Sequence, residues 1–236
     1  MKILSHQAHV WLVKLALNQE DIAFYNTLLD DDEKTRADKF YFPLHKTRFI
    51  AGRGQLRMIL SYYMAIDPAQ LLFSYTDKKK PFIANQNFPK YQFNLSHSRD
   101  QLILAITLGY MIGVDIEYAE EKSILSLSQR FFSPLEQNYL ASLNSAEQLK
   151  EFYRIWVGKE ALLKASGLGL TSPLNAFTIP PQITDCRLTL KDKTWFLYFF
   201  PLIPSFASAL ACEQNIQSIS FFRLNSGPEH LKDIYF

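Results

Sequence analysis

Asp115 and Glu117 of the segment GVDIE stand two residues apart, with Ile116 between them. Read as a strand, that spacing puts both carboxylates on one face and Ile116 on the other. Two like charges side by side repel unless a cation lies between them. An oxygen-ligated divalent ion is the economical partner, and magnesium combines a few carboxylates with water and substrate phosphates. A solvated strand end carrying two acids is the plain alternative. A second pair lies in FYRIWVGKEALLKASGLGL, from Phe152 to Leu170. Glu160 and Lys164 are four apart and share a face of an amphipathic helix, one turn above the other. The plain reading is a surface ion pair of small worth. The chemical reading is a carboxylate that holds a metal and a lysine that holds a phosphate.

Two further stretches offer anion donors. In NLSHS two hydroxyls, Ser96 and Ser98, flank His97 at a strand end. Adjacent strand residues point to opposite faces, so Ser96 and His97 are badly placed as a nucleophile–base pair. DKKKPF, alone, is a solvated charged turn. Arg48, Arg53 and Arg57 lie along HKTRFIAGRGQLRMILSYYMAI, a helical pattern, and read as a solvated basic face; Arg53 and Arg57, four apart, repel. No glycine-rich nucleotide loop with its own lysine is present, and AGRGQLR lacks dinucleotide spacing. The cysteines and histidines are scattered without zinc-ligand spacing.

These groups need a scaffold, and the rest of the chain supplies one. With 236 residues, 48% hydrophobic and 20% charged, it is long and apolar enough for one large domain or two lobes. Lys and Arg exceed Asp and Glu by 25 − 23 = 2, too little for a dedicated nucleic-acid binder, so any anion site is local. Two cysteines, Cys186 and Cys212, make no disulfide framework and fit reduced thiols in the cytoplasm. HVWLVKLAL near the start reads as a strand with mixed faces rather than a leader. WFLYFFPLIPSF is shorter than the ~20 apolar residues of a membrane helix and reads as a buried strand and turn. LLDDDEKTRADKF places carboxylates at a helix start, and Ser133-Pro134-Leu135-Glu136 has the form of a capped one. Strands and helices alternate without a regular order, which points to an α+β fold. A carboxylate pair, a helix Glu with a Lys one turn on, a Ser-His-Ser turn and outlying cations together suit a metal–diphosphate substrate.

In this order and at these separations, KKPFI, FNLSHS, GVDIE and WVGKEALLKASGLGL resemble the 4′-phosphopantetheinyl transferases, in the large single-chain Sfp-type branch rather than the short trimeric one. TRFIAGRGQLR and RFFSPLE extend the resemblance over nearly the whole chain. GVDIE with the downstream WxxKEAxxK is the specific pair; KKPFI alone is weak. The resemblance implies transfer of the phosphopantetheine arm of coenzyme A to a serine of an apo acyl or peptidyl carrier protein, releasing adenosine 3′,5′-bisphosphate. It further implies that Asp115, Glu117 and Glu160 bind magnesium, with manganese as a substitute, and that Asp115 also belongs to the coenzyme A site. Lys164 matches a diphosphate contact, Lys80, Ser96 and His97 surround the 3′-phosphate, and Arg48 reaches the nucleotide end. Arg36 matches too loosely to be assigned. The serine proton goes to Glu160, to a metal-bound water or to Glu136, and the three remain open.

Two departures stand out. Lys79-Lys80-Pro81 replaces the family's common Gly-Lys-Pro, and Gly158 sits inside the helix at a cost of ~1 kcal/mol relative to Ala. The implied fold is two similar α+β lobes about a pseudo-twofold axis, residues 1–112 and 113–236, in a cytoplasmic monomer without nucleic-acid or membrane partners. The carrier and its pathway are left open. A coenzyme A-binding module that has lost transfer and a metal-dependent phosphodiesterase are the rival classes. The intact Asp115, Glu117, Glu160 and Lys164 count against the first, the near-neutral charge against the second.

Overall fold

One plan occurs twice along the chain: a strand, two short helices, a 22-residue helix, then antiparallel strands of which one returns to pair with the first. The computed structural model describes residues 1–86, 88, 90–120, 124–169 and 173–224, so Leu170 of the quoted helix segment lies outside the described residues. The first half holds β1 (Gln7–Lys14), α1 (Gln19–Thr27), α2 (Asp31–Asp38), α3 (Pro43–Met64), the hairpin β2 (Phe73–Tyr75) and β3 (Pro81–Ile83), β4 (Tyr91–Ser98) and β5 (Gln101–Leu108). The second holds β6 (Ile112–Tyr118), α4 (Ile124–Phe131), α5 (Pro134–Ala141), α6 (Ser145–Ser166), β7 (Asp185–Leu190), β8 (Lys193–Phe199), β9 (Phe206–Cys212) and β10 (Ser218–Leu224). This is the two-lobed α+β arrangement expected. The sheets run β10-β1-β5-β4 and β6-β9-β8-β7, and β10 crosses back to lie parallel to β1, Gln7 opposite Ser218.

Alternation along the strands decides the layers. Trp11, Val13, Leu104 and Ile106 pack under α3 against Leu56, Ile59 and Leu60. Val10, Leu12, Ile103 and Ala105 turn the other way and meet Ile112, Val114, Ile116 and Leu210 of the second sheet. β1 is therefore buried on both faces, which its nearly unbroken apolar run reflects. The far face of the second sheet takes α6 through Ala161, Leu162 and Ala165.

The basic face of α3 differs from expectation. Arg53 and Arg57 are buried, and Arg57 is 0% exposed. Glu33 forms ion pairs with both, its carboxylate 2.6 Å from Arg57 Nε and 2.5 Å from Arg53 Nε, while Asp30 takes Arg57 Nη2 at 2.5 Å. Asp30 and Glu33 also form the capping box that starts α2. The expected repulsion is cancelled by a carboxylate between the two guanidiniums, and the acidic helix start is what supplies it.

At Gly113 α6 meets β6 backbone to backbone. A Cβ there would lie 2.1 Å from the Ala161 carbonyl oxygen and 2.3 Å from the Ala165 nitrogen. The hydrogen closest to those atoms must belong to a glycine. We expect Gly113→Ala to cost about 3 kcal/mol or more, because backbone cannot step aside as a flexible side chain would; urea unfolding with an unchanged midpoint would show that the contact relaxes freely.

β1 carries a second device. His9 is buried, its Nδ1 2.7 Å from the Tyr63 hydroxyl, which also accepts Trp11 Nε1 at 3.0 Å. Burial pushes the imidazole down to about 4. Its unfolded value is about 6.5, so this neutral histidine adds stability above that pH and loses it as pH falls toward 4. His9→Gln should flatten the acid-side fall in the urea midpoint between those two values.

Candidate active site

The register of α6 on β6 sets the centre of the site. With Ala161 and Ala165 seated on Gly113, Lys164 reaches across to the neighbouring β6 residues. Its Nζ lies 2.6 Å from Asp115 Oδ1, 2.8 Å from Ser96 Oγ and 3.3 Å from the Val114 carbonyl. Ser96 donates to the same Asp115 oxygen at 2.6 Å. Asp115 is 2% exposed, and its Oδ2 is buried without a hydrogen-bond partner. Among the described pairs, the lysine's ion pair is thus with the strand carboxylate and not with Glu160 one turn away.

Glu160 is half-buried and lines a second, smaller cleft of about 400 Å³ with Phe131, Trp156 and Leu174. Burial first, then the charge of Asp115 and to a lesser degree Glu117, raises its carboxyl to about 7, against the opposing pull of Lys164. Glu117 shares the Asp115 face and takes a hydrogen bond from Ser98 at 2.8 Å. Among the described residues no three His, Cys, Asp or Glu side chains are grouped closely enough to hold a metal by themselves. The chemistry of the donors nonetheless fits a hard divalent ion: an orphaned buried carboxylate oxygen and a neighbouring acid raised by burial and then by the Asp115 charge.

The large cleft, about 780 Å³, lies between the α3 N-terminal half, the β2–β3 turn, β4 and the end of α6. Arg36, Arg48, Arg53, Lys78, Lys79, Lys80, Arg99 and Lys164 line it, and among the described residues no Asp or Glu does. A chain of net charge +2 concentrates its positive field here. Arg48 is tied to Asp100 through Nε at 2.8 Å and Nη2 at 2.7 Å. Arg99 pairs with Glu120 and lies over the Tyr118 ring at 3.6 Å. Lys80 donates to the Ile112 carbonyl at 2.9 Å and the Lys164 carbonyl at 2.8 Å, joining the hairpin to β6 and the end of α6. Burial lowers its ammonium to about 8.

His97 faces the large cleft while Ser96 turns to Asp115, as opposite pleats require. The imidazole is pushed below its ordinary value by burial, then by the cations Lys164 and Arg48. Arg48, Lys80, His97 and Lys164 therefore meet in one cleft. Ser96, Asp115 and Glu117 lie along the β4–β6 seam at its inner wall, and Glu160 lies around the helix.

Glu136 is elsewhere. It is 2% exposed and closes the α5 capping box by accepting the Ser133 amide at 2.7 Å; it also accepts the Ile179 amide at 2.6 Å. Lys159 completes the group, 2.9 Å from Glu136 and bonded to the Leu174 and Phe177 carbonyls at 2.8 Å and 2.6 Å. Both carboxylate oxygens are engaged in holding α5, α6 and the segment after α6 together.

Lys78, Lys79 and Arg99, to which the motifs assign no role, also line the cleft. Lys79 and Arg99 sit at turn positions with φ of 60° and 54°, which no motif in the sequence marks. A glycine in the family's place would meet no penalty at Lys79. Gly158 has a packing reason, since a Cβ would lie 2.9 Å from the Phe199 ring.

Residues 111–211 match the 4′-phosphopantetheinyl transferase superfamily, and residues 17–108 match the family described as 4′-phosphopantetheinyl transferase, N-terminal. The chain is 40% identical over 172 residues to the 4′-phosphopantetheinyl transferase HetI of Nostoc sp., covering 72% of this chain and 73% of that protein. It is 31% identical over 163 residues to the 4′-phosphopantetheinyl transferase Sfp of Bacillus subtilis, covering 69% and 71%. The L-aminoadipate-semialdehyde dehydrogenase-phosphopantetheinyl transferase of Xenopus laevis is 30% identical over 178 residues, covering 70% and 59%.

The Glu136–Lys159 pair gives a test of its own. Lys159→Met leaves a buried carboxylate without its cation and should cost about 3–5 kcal/mol. Adding Glu136→Gln should recover part of that loss in urea unfolding; additive losses would show that the two do not act as a pair.

Proposed function

The chain belongs to the 4′-phosphopantetheinyl transferase superfamily, and from that premise we propose how its own residues carry the transfer. The reaction moves the phosphopantetheine arm of coenzyme A to an apo carrier protein. The observation that supports our reading most is the large cleft, which among the described residues is lined by eight cations and no carboxylate and is bounded at its inner end by Lys164 on Asp115. Such a lining suits a ligand bearing a diphosphate and a separate phosphate. Arg48, Lys80 and His97 take the 3′-phosphate and nucleotide end, with Arg99, Lys78 and Lys79 adding field. Lys164 meets the diphosphate.

In the proposed step the carrier serine Oγ attacks the β-phosphorus in line. The new Oγ–P bond forms as the bond from that phosphorus to the bridging oxygen breaks, and adenosine 3′,5′-bisphosphate leaves. Lys164 offsets charge growing on the diphosphate. Glu160 accepts the serine proton, since its carboxylate opens onto a cleft a carrier side chain can enter. Glu136, enclosed by its own partners, positions α6 instead. Asp115, Glu117 and Glu160 would hold magnesium, which when bound supplies charge compensation for the diphosphate. Lys164 and Ser96 engage one Asp115 oxygen, and the other, without a hydrogen-bond partner, would be left for the ion. We place the enzyme in the cytoplasm as a monomer, working on no nucleic acid or membrane. Cys186 and Cys212 are both free thiols, and among the described residues no helix is long and apolar enough to cross a membrane.

Incubation with coenzyme A, magnesium and a panel of apo carriers should add one phosphopantetheine arm to a carrier, read by intact mass. Nucleotide hydrolysis with no carrier modified would favour a phosphodiesterase instead. Asp115→Ala and Glu160→Ala should abolish transfer in folded protein, and Lys164→Ala should slow it about 100-fold or more. The histidine has a separate signature. In free protein the His97 ring should titrate below 6.5, and coenzyme A should move that value upward because a phosphate favours the imidazolium. Dephospho-coenzyme A should leave it low. Equal NMR titration shifts with both ligands would remove His97 from the 3′-phosphate.

A further inference from the structure

The seam between β4 and β6 contains a hydroxyl to which the reaction as described gives no task. The two strands are edges of different sheets and share no backbone ladder, yet they lie side by side. Side chains of β4 join them. Asn94 Oδ1 accepts the Val114 amide at 2.9 Å, Ser96 serves Asp115, and Ser98 serves Glu117. These three residues are two apart, so one face of β4 presents all of them.

Ser98 has a defined proton. Its Oγ accepts the Tyr118 amide at 3.1 Å and lies 2.8 Å from Glu117 Oε2. A serine hydroxyl carries one hydrogen, and with an N–H already on one lone pair that hydrogen is directed at the carboxylate. Ser96 repeats the arrangement one pleat earlier, accepting from Lys164 and donating to Asp115. Each acid of β6 therefore has one oxygen fixed by a serine from the other sheet. For Glu117 the effect is the larger, since its longer side chain has more rotamer freedom to lose when it takes up a ligand geometry.

We infer that Ser98 is a positioning residue for the Glu117 carboxylate, holding it in the orientation in which it serves a divalent ion. The inference rests on the reading that Asp115, Glu117 and Glu160 bind that ion. It makes the packing of one lobe on the other a determinant of metal affinity, because the orienting hydroxyl and the ligand come from different sheets. Partners that orient a metal ligand without touching the metal commonly matter by one to two orders of magnitude in affinity.

The test uses manganese as the probe, titrated into the enzyme–coenzyme A complex, with the free ion followed by electron paramagnetic resonance. Ser98→Ala should weaken manganese binding about 10-fold, and Ser98→Thr, which keeps the hydroxyl, should recover most of it. Coenzyme A affinity measured in a chelator should be unchanged by either substitution. If Ser98→Ala does not fold, Ser98→Cys keeps the size with a weak donor and should show the same loss. Manganese binding equal to wild type in folded Ser98→Ala would overturn the inference. So would reduced discrimination against dephospho-coenzyme A with metal binding intact, which would make Ser98 a phosphate donor. Glu117→Ala separates the two levels: if it too binds manganese like wild type, the metal reading itself has failed and the inference with it.

Discussion

Helix α6 lies on strand β6 with no room for a side-chain carbon between them at Gly113. Most of the site follows from that contact. It fixes the height of α6 against the strand to within a fraction of a residue, and Lys164, three beyond Ala161, falls opposite Asp115. Lys80 secures the same junction from the hairpin by accepting no compromise in either direction: it bonds the first carbonyl of β6 and a carbonyl in the last turn of α6. That second bond satisfies one of the helix's terminal acceptors and sets a cation at the negative end of its dipole. A buried ammonium held by two backbone carbonyls is a stiff link, and it ties the cleft's wall to its floor.

The cleft holds many cations in a nearly neutral protein because several are matched from outside its lining. Arg48 leans on Asp100, Arg99 on Glu120, Arg53 on Glu33 and Lys164 on Asp115. These pairs keep like charges from repelling one another while no ligand is there. They also keep the side chains extended and ordered, so that binding a polyanion costs less conformational entropy than gathering loose arginines would. A bound phosphate group needs only to share donors that are already in place with their carboxylates.

How far this was legible in the sequence depends on the kind of contact. The strand pleat separated Ser96 from His97, and the face shared by Asp115 and Glu117 followed from period two alone. Helical period placed Glu160 and Lys164 on one side of α6, yet could not tell that the lysine's partner comes from a strand nearly fifty residues earlier. Arg53 and Arg57 read as solvated for the same reason: the carboxylate that buries them comes from another helix. Glu136 looked available because a capping box is local, whereas Lys159 and the Ile179 amide reach it through the tertiary fold. Local periodicity names the face a residue occupies. Only packing says what stands opposite.

The parallel pairing of β10 with β1 has a consequence for how the protein is made. Strand β1 is synthesised well ahead of its partner on one side, residues 218–224, since Gln7 pairs with Ser218 across 218 − 7 = 211 residues of sequence. Until then a nascent chain carries one edge of a strongly apolar strand without its mate, the kind of edge that recruits strangers. The first half can gather its helices and its antiparallel strands during synthesis, but it cannot close its sheet. Closure waits for a contact of very long sequence separation, the kind that forms slowly and leaves the intermediate open to aggregation. The first sheet is thereby left one strand short until β10 has been made.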